Sequence, residues 1–293
     1  MFSQFFGNYL LENQKITAEQ FSSCMKYIAE NQVKLELIAE HEGLLSREQA
    51  DDLSSLQKQS DKAFGDLAVE KGYLTESDVN YLLDHQANPY LIFIQALEEN
   101  NCLNRSEIDD CLASFQKDND FSDSVMQAIQ EGNIEQLLPA FVDTEDTLYL
   151  DLIGLALRTI VRFISSYICI GKGSFTNSLP AKYAAYQRII GDYEGFLGFC
   201  CDNDDILTIA NGYSRENFDS VDEDALDTVG EFANCINGLY AGELSYSMIS
   251  IDMEPPELLF DTTISNDNDF YVLPVYMDGR KSNLIIYISS KEE

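Results

Sequence analysis

The sequence is poor in basic residues and has almost no histidine. It has 18 lysines and arginines against 51 aspartates and glutamates in 293 residues, a formal net charge of -33 at pH 7, and only two histidines, His41 and His85. Because phosphates are repelled by a surface of this charge, the composition argues against a protein that binds nucleic acid or an anionic membrane directly. The two histidines belong to no Ser-His-Asp arrangement, so nucleophilic hydrolase chemistry of that kind is not indicated.

The sequence also lacks an obvious export signal or membrane anchor. Its N-terminus has neither a basic region nor a long apolar run, so we predict no signal peptide. The most apolar segment, residues 148–170, contains Asp151, Arg158 and Arg162, and these charges favour a core helix over a membrane span. Seven cysteines, an odd number without metal-ligand spacing, indicate a reducing compartment. We therefore expect a cytoplasmic protein without membrane insertion.

Hydrophobic residues are nevertheless abundant, and the first part of the chain is repetitive. The content of 45% hydrophobic residues, with 17 Phe and 16 Tyr, is that of a folded protein. In residues 1–117 an apolar residue recurs every 29 positions and is followed each time by a helix-start signal. The apolar residues are Ile16, Leu45, Leu74 and Leu103, and the signals begin at Thr17, Ser46, Thr75 and Asn104.

Each helix-start signal has the form of a capping box, in which the first residue and the fourth satisfy backbone N–H groups reciprocally. The fourth residue is Gln or Glu in three of the signals, and Asp78 makes the remaining one a weaker version. Gly43 and Gly72 stand where helix-ending glycines are expected. The pattern predicts four stacked units, each a short helix, a turn and a longer helix of about 10–12 residues.

The third unit, Phe64-Gly-Asp-Leu-Ala-Val-Glu-Lys-Gly72 through Val79, Leu83 and Gln86, resembles the N-terminal repeats of type II secretion and pilus ATPases, the MshEN type. Some members of that group bind cyclic di-GMP. Their Arg-Leu-Gly opening is Ala63-Phe64-Gly65 here and Lys34-Leu35-Glu36 in the preceding unit. Without the guanidinium group, bidentate capture of a phosphate or guanine edge is lost. A protein-interaction or spacer role is therefore favoured for the repeats.

The second part of the chain has a different pattern. A connecting segment, residues 118–143, contains a predicted helix at Ser122–Glu131 that Gly132 closes. Beyond it the sequence predicts helices at 144–166, 205–211 and 222–237, and strands at 183–190, 196–201, 245–251, 271–276 and 283–289. The predicted fold class is α+β: an all-α helical-repeat domain, residues 1–117, followed by an α+β domain, residues 144–293, with two long helices packed on a β-sheet.

The second long helix carries polar side chains on one face. Ser220-Val-Asp-Glu223 reads as its capping box, and Gly238 and Gly242 as its end. Asp227, Glu231 and Asn234 fall within a stripe about 60° wide at the helical period. Leu226, Val229, Ala233, Ile236 and Tyr240 lie on another arc, which would face the core. The helix is therefore predicted to present a carboxylate and a carboxamide to a partner.

Asp227-x-x-x-Glu231-x-x-Asn234, followed by Gly238 and Pro255-Pro256, is similar to the signature of the CheC/CheX chemotaxis phosphatases, over about residues 144–290. The resemblance implies a phosphatase that acts on the aspartyl phosphate of a CheY-like response regulator. By the same resemblance, Asn234 orients the attacking water, Glu231 engages a receiver lysine and docks the partner, and Asp227 is a supporting position. It also implies Mg²⁺ on the receiver, no cofactor of its own, and a possible homodimer.

The first long helix aligns with the second. Asp151-Leu-Ile-Gly-Leu155-Ala-Leu-Arg158 matches Asp227-Thr-Val-Gly-Glu231-Phe-Ala-Asn234, but Leu155 replaces the Glu and Arg158 replaces the Asn. The alignment therefore predicts one live site, as in CheX. Two other functions are kept as alternatives. One is a non-catalytic adaptor that binds receiver domains or the flagellar switch, and the other is a cyclic di-GMP-responsive effector.

Overall fold

The structure, a computed structural model, describes residues 1–60 and 62–290. The chain divides into one unit that spans Phe2–Asp120 and a second that begins at Phe121 and takes in Met1. The first unit is helical, and the second combines helices with a six-stranded sheet. The predicted α+β class, with a helical region before the mixed domain, is confirmed.

In residues 2–60 and 62–120 the first unit contains four pairs of helices. They are α1 (Phe2–Glu12), α2 (Ala18–Glu30), α3 (Leu35–His41), α4 (Arg47–Gln57), α5 (Phe64–Glu70), α6 (Glu76–Asp84), α7 (Pro89–Glu99) and α8 (Arg105–Asp118). The longer helix of each pair begins where the sequence predicts. Thr17, Ser46, Thr75 and Asn104 are the N-caps, and all four capping boxes are complete, including the one that Asp78 closes. These reciprocal bonds satisfy N–H groups that have no partner within the helix.

The turn inside each of these pairs has a left-handed residue at the same phase of the repeat. The residues are Gln14, Gly43, Gly72 and Asn101, with φ of 54°, 69°, 70° and 51°. Only two of them are glycines, so the sequence signal marks only half of the turns. The shared conformation turns the chain from the short helix into the next capping box.

One buried position also recurs in the four longer helices. It is occupied by Cys24, Leu53, Leu82 and Cys111, all of which are 7% exposed or less. Leu45 and Leu74, which precede the capping boxes, join Leu53 and Leu82 in one hydrophobic cluster. The 29-residue period thus places an apolar side chain from every longer helix in the interior of the first unit.

The second unit begins with helices and continues as strands. Its helices are α9 (Asp123–Glu131), α10 (Ile134–Phe141), α11 (Thr147–Phe163), α12 (Leu207–Ser214) and α13 (Glu223–Ser245), and its strands are β1 (Ile168–Ile170), β2 (Ser174–Gly191), β3 (Tyr193–Cys201), β4 (Ile251–Met253), β5 (Glu257–Met277) and β6 (Arg280–Ser290). As predicted, Ser122 caps α9 and Gly132 ends it with a φ of 69°. No helix within residues 1–60 and 62–290 combines the length and the apolar character needed to cross a membrane.

The strands are antiparallel and follow the order β1-β5-β6-β3-β2-β4. In addition, β2 and β5 pair with each other, so that β2, β3, β6 and β5 form a closed ring of pairings. Strands β2 and β5 both begin well before the segments predicted at 183–190 and 271–276. The residues that precede those segments are mostly polar, and they form strands because the backbones of β2 and β5 hydrogen-bond to each other there.

The two faces of the sheet have different neighbours. Phe196 and Phe270 lie on one face in an aromatic and aliphatic cluster formed by the strands themselves. On the other face, Phe199 of β3 stacks on Phe232 of α13 with ring centroids 5.6 Å apart. Successive side chains of a strand point to opposite faces, so β3 serves both layers. The helices α11 and α13 cover the sheet, as the sequence predicts.

Three local predictions around α13 are wrong. The N-cap is Asp222, whose carboxylate accepts from the N–H of Ala225 at 2.9 Å, and not Ser220. The helix continues through Gly238 and Gly242 to Ser245, so the predicted strand at 245–251 is absent apart from its last residue. Glycine costs only about 1 kcal/mol in a helix, and burial of residues such as Tyr240, which is 2% exposed, offsets that cost.

Candidate functional site

The orientation of α13 is set by its apolar arc. The five residues of that arc are all buried: Leu226, Val229, Ala233, Ile236 and Tyr240. Asp227 and Glu231 are exposed on the opposite side, and Asn234 is half-buried between the two faces. The predicted division of the helix into a packed face and a polar face is therefore confirmed.

The side-chain amide of Asn234 has a partner at each end. Its Oδ1 accepts a hydrogen bond from Nε2 of Gln187 at 2.9 Å. Its Nδ2 donates to Oε2 of Glu231, one turn earlier on α13, at 3.4 Å. The amide is thus held between the sheet and the exposed carboxylate. One lone pair of its oxygen and one N–H remain for another molecule.

Two buried amides continue this arrangement toward the core. Gln187 lies on β2 and is 3% exposed, and its Oε1 accepts from Nδ2 of Asn237 at 2.9 Å. Asn237 is 0% exposed and is on the buried side of α13. Sequence reasoning missed both residues. The available signal was a polar residue within an apolar segment: Gln187 precedes Arg188-Ile-Ile190 in a strand, and Asn237 adjoins the apolar arc.

The surroundings of Glu231 are partly aromatic. Tyr213 of α12 packs against Phe232 with ring centroids 5.1 Å apart. Burial raises the pKa of the Tyr213 phenol, and Cys235 and the charge of Glu231 raise it further. The raised pKa keeps this phenol neutral at pH 7, as an unperturbed tyrosine is.

Close packing fixes the height of α13 above the strands. A Cβ on Gly230 would lie 2.8 Å from Cβ of Pro256 and 3.3 Å from Cδ2 of Leu258. Pro256 belongs to the Pro255-Pro256 pair, between β4 and β5. Gly230, the residue before Glu231, allows α13 to approach the start of β5 closely. The α13 residues of the sequence motif and its Pro255-Pro256 pair therefore both help to position the polar face.

The equivalent face of α11 is arranged differently. Arg158, which aligns with Asn234, forms an ion pair with Glu135 of α10. Leu155, which aligns with Glu231, is 6% exposed. A Cβ on Gly154 would lie 3.4 Å from Cδ1 of Leu138, another residue of α10. Helix α10 therefore contacts this face, which presents an apolar side chain and a paired cation where α13 presents a carboxylate and an amide.

The residues that stand in place of the Arg-Leu-Gly opening of the pilus ATPase repeats lie in the first unit. Lys34 precedes α3 and forms an ion pair with Glu99 of α7, and Ala63 precedes α5. Neither makes a side-chain capping bond. The cation of Lys34 already has a partner at this position.

Part of the second unit is similar to a known protein family. Residues 183–275 match the model of the family described as chemotaxis phosphatase CheX. The matched segment contains Gln187, all of α13 and the Pro255-Pro256 pair. A search of curated proteins found no match.

Solved structures of similar proteins cover about half of the chain. A CheC-like superfamily protein from Shewanella sp. PV-4 is 19% identical, with a TM-score of 0.43, over 50% of this chain and 100% of its own. The chemotaxis protein CheX from Desulfovibrio desulfuricans is 14% identical, with a TM-score of 0.42, over 49% and 100%. A chain of the CheX–CheY–BeF₃–Mg²⁺ complex from Borrelia burgdorferi is 20% identical, with a TM-score of 0.43, over 50% of this chain and 100% of its own.

Proposed function

We propose that this protein dephosphorylates the aspartyl phosphate of a CheY-like response regulator. In this proposal Asn234 orients the attacking water, Glu231 docks the receiver through a lysine, and Asp227 supports the same face. The match of residues 183–275 to the chemotaxis phosphatase family supports the reaction class. The observation that carries the assignment to residues is the Asn234 amide, held beside the exposed Glu231 carboxylate on the polar face of α13.

The reaction needs positioning more than acid–base catalysis. Water attacks the phosphorus atom, the bond from phosphorus to the aspartyl oxygen breaks, and inorganic phosphate and a free carboxylate are formed. Because an acyl phosphate is activated, aligning the water with the leaving oxygen supplies much of the acceleration. Asn234 can hold that water through the groups that its two partners leave free, the second lone pair of Oδ1 and the second N–H of Nδ2, and the amide does not titrate near neutral pH. Magnesium is expected on the receiver, and no cofactor is assigned to this chain.

Charge supports the choice of partner. The chain has a formal net charge of -33, and Glu231 is exposed at the end of the hydrogen-bonded amide. A receiver that displays lysine around its phosphorylation site would meet this surface faster than a neutral one. We also propose that the protein meets this receiver in the cytoplasm. The homodimer implied by the resemblance stays a prediction, which sedimentation of the full chain would test.

The proposed function is tested by the decay of a phosphorylated CheY-like receiver in the presence of the full chain and of Asn234→Ala. We expect the wild type to accelerate decay. The rate of catalysed dephosphorylation should be about 100-fold lower for the variant, as when a single orienting or stabilising group is removed from other active sites. Arg158→Ala is the matched control, because it changes the aligned residue of α11, and it should keep the wild-type rate.

Equal rates for the wild type and Asn234→Ala would contradict the catalytic role. A wild-type protein that binds the phosphorylated receiver without accelerating its decay would instead favour the non-catalytic adaptor. Binding is measured separately with a receiver activated by beryllofluoride, so the two outcomes are distinguished.

A further inference from the structure

We infer that Gln187 and Asn237 are positioning residues that hold the Asn234 amide, and that Glu231 determines which end of this amide faces outward. The inference rests on the proposed role of Asn234. It adds two buried residues to the site and gives Glu231 a second task besides docking the partner.

The four side chains form one directed series of hydrogen bonds from the core to the surface. Nδ2 of Asn237 donates to Oε1 of Gln187, and Nε2 of Gln187 donates to Oδ1 of Asn234, both at 2.9 Å. Nδ2 of Asn234 then donates to Oε2 of Glu231 at 3.4 Å. Gln187 and Asn234 each accept through the oxygen and donate through the nitrogen, and Asn237 donates through its nitrogen, so the orientation of each amide constrains the next.

The series could in principle run in either direction, because an amide rotated by 180° keeps its shape and exchanges its donor and acceptor ends. Reversing all three amides would again match donors with acceptors between Asn237, Gln187 and Asn234. It would, however, turn Oδ1 of Asn234 toward the carboxylate of Glu231. A carboxylate is an acceptor only, so this arrangement brings two acceptors together and is repulsive.

Glu231 therefore selects the direction in which Nδ2 of Asn234 faces the carboxylate. Reversing a single amide is also excluded, because it would leave a donor facing a donor or an acceptor facing an acceptor within the core. The contact to Glu231 is longer than the inner two, but its charge strengthens the preference.

Folding alone does not account for these buried amides. Asn237 and Gln187 are 0% and 3% exposed, and Oδ1 of Asn237 has no hydrogen-bond partner in the part of the chain that the structure describes. A buried polar atom without a partner costs stability, and apolar residues of similar size could pack between a helix and a sheet without that cost. The series instead restrains Asn234, which is half-buried at the edge of the polar face. A restrained amide loses little freedom when it aligns water in the transition state.

Kinetics of three full-chain variants test the inference. Gln187→Met keeps the length of the side chain but removes both inner bonds. Gln187→Glu keeps the acceptor for Asn237 but, when ionised, presents an oxygen to Oδ1 of Asn234. We expect both to lower kcat for receiver dephosphorylation by about tenfold or more, while KM stays within about twofold because the exposed Glu231 remains. Thr159→Val, which removes a buried hydroxyl from α11, is the control and should keep the wild-type kcat.

A wild-type kcat for Gln187→Met would overturn the inference. So would a loss that Thr159→Val shares, or one that follows only the fraction of folded protein, because these are results of a purely structural role.

A second measurement does not depend on phosphatase activity. Side-chain amide resonances and hydrogen exchange of Gln187 and Asn234 are compared by NMR in the wild type, Glu231→Gln and Asp227→Asn. Glu231→Gln offers both a donor and an acceptor, so we expect altered resonances and faster exchange for both amides. Asp227→Asn removes a neighbouring charge outside the series and should change neither amide. Unchanged Gln187 and Asn234 amides in Glu231→Gln would overturn the role of Glu231 in setting the direction. An inactive wild type with the expected NMR changes would contradict the proposed function alone.

Discussion

Gly230 of α13 lies so close to Pro256 that a Cβ on the glycine would be 2.8 Å from Cβ of the proline. The contact joins the residue before Glu231 to the connection between β4 and β5. It explains why α13 contains a residue of poor helix propensity at this position. The absence of a side chain lets the backbone settle against the start of β5, and that position determines how far Glu231 and Asn234 stand from the sheet.

We predict opposite stability effects for two glycines of α13. Gly230→Ala should lower the free energy of unfolding by about 1–3 kcal/mol, because its methyl group would overlap Pro256. Gly238→Ala should raise it by up to about 1 kcal/mol, since nothing lies within 4 Å of its Cβ and alanine is the better helix former. Urea unfolding of both variants measures the difference. Equal effects would mean that helix propensity, rather than the contact with Pro256, governs both positions.

Reversing the charge of Glu231 should weaken receiver binding. In Glu231→Lys the new ammonium group would repel the receiver lysine that the proposed function assigns to this position, and we expect the Kd for the activated receiver to rise about tenfold. Salt should weaken wild-type binding more than binding of the variant, because screening reduces only an attraction that is present. Titrations at low and high salt measure both effects. Asp51→Lys, the same charge reversal at an exposed position of α4 outside this face, is the control, and a comparable loss there would indicate general surface charge.

The capping box of α6 should be sensitive to acid, while that of α4 should not. Hydrogen bonds from the backbone and side chain of Thr75 lower the pKa of the Asp78 carboxyl below its ordinary value of 3.8. A lowered pKa in the folded state means that the carboxylate stabilises the cap above pH about 4. That contribution is lost as the pH falls through the folded-state pKa.

Hydrogen exchange of the first-turn amides of α6 should therefore accelerate at acid pH, relative to the pH dependence of intrinsic exchange. The Ser46–Gln49 box of α4 is an internal control, because Gln49 does not titrate. Asp78→Asn should remove the acid sensitivity of α6. Parallel changes in α4 and α6 would point to unfolding of the whole unit instead of loss of one cap.

At two left-handed positions of the repeat, introducing a glycine and removing one should have opposite effects on stability. Gln14 has a φ of 54° and Gly43 has a φ of 69° at equivalent turns. Gln14→Gly should stabilise the protein by up to about 1 kcal/mol, because the left-handed conformation costs a residue with a Cβ about that much. Gly43→Ala should destabilise it by a similar amount, although no atom lies within 4 Å of its Cβ. Thermal or urea unfolding of the two variants would test this, and the same sign for both would contradict it.

Local signals in the sequence were reliable where neighbouring residues complete an interaction. The four capping boxes, the Gly132 cap and the packed arc of α13 were all predicted. The turn between β5 and β6 likewise depends on local chemistry, since Asp278 and Gly279 both adopt positive φ, as a two-residue hairpin turn requires. Capping and turn chemistry act over a few residues, so such patterns can be read without knowing the fold.

Prediction failed where distant segments decide the outcome. The early part of β2 and the early part of β5 are strands because they pair with each other, with Ala181 opposite Thr262, and their polar side chains give no strong alternation. Gly238 and Gly242 predict an early end of α13, but the helix continues to Ser245 because burial of residues such as Tyr240 outweighs the low helix propensity of glycine. Gln187 was overlooked because its significance depends on a contact with Asn234, 47 positions along the chain.

The 29-residue period, the helix starts, and the position of Asp227, Glu231 and Asn234 away from the apolar arc all follow from local sequence, because helical geometry and capping depend on nearby residues alone. Three other features are visible only in the folded chain: the pairing of β2 with β5 that closes the ring of strands, the contact of α10 with the counterpart face of α11, and the hydrogen bond from Gln187 to Asn234. Each of these depends on contacts between segments far apart in the chain, where burial and hydrogen-bond pairing outweigh local preference.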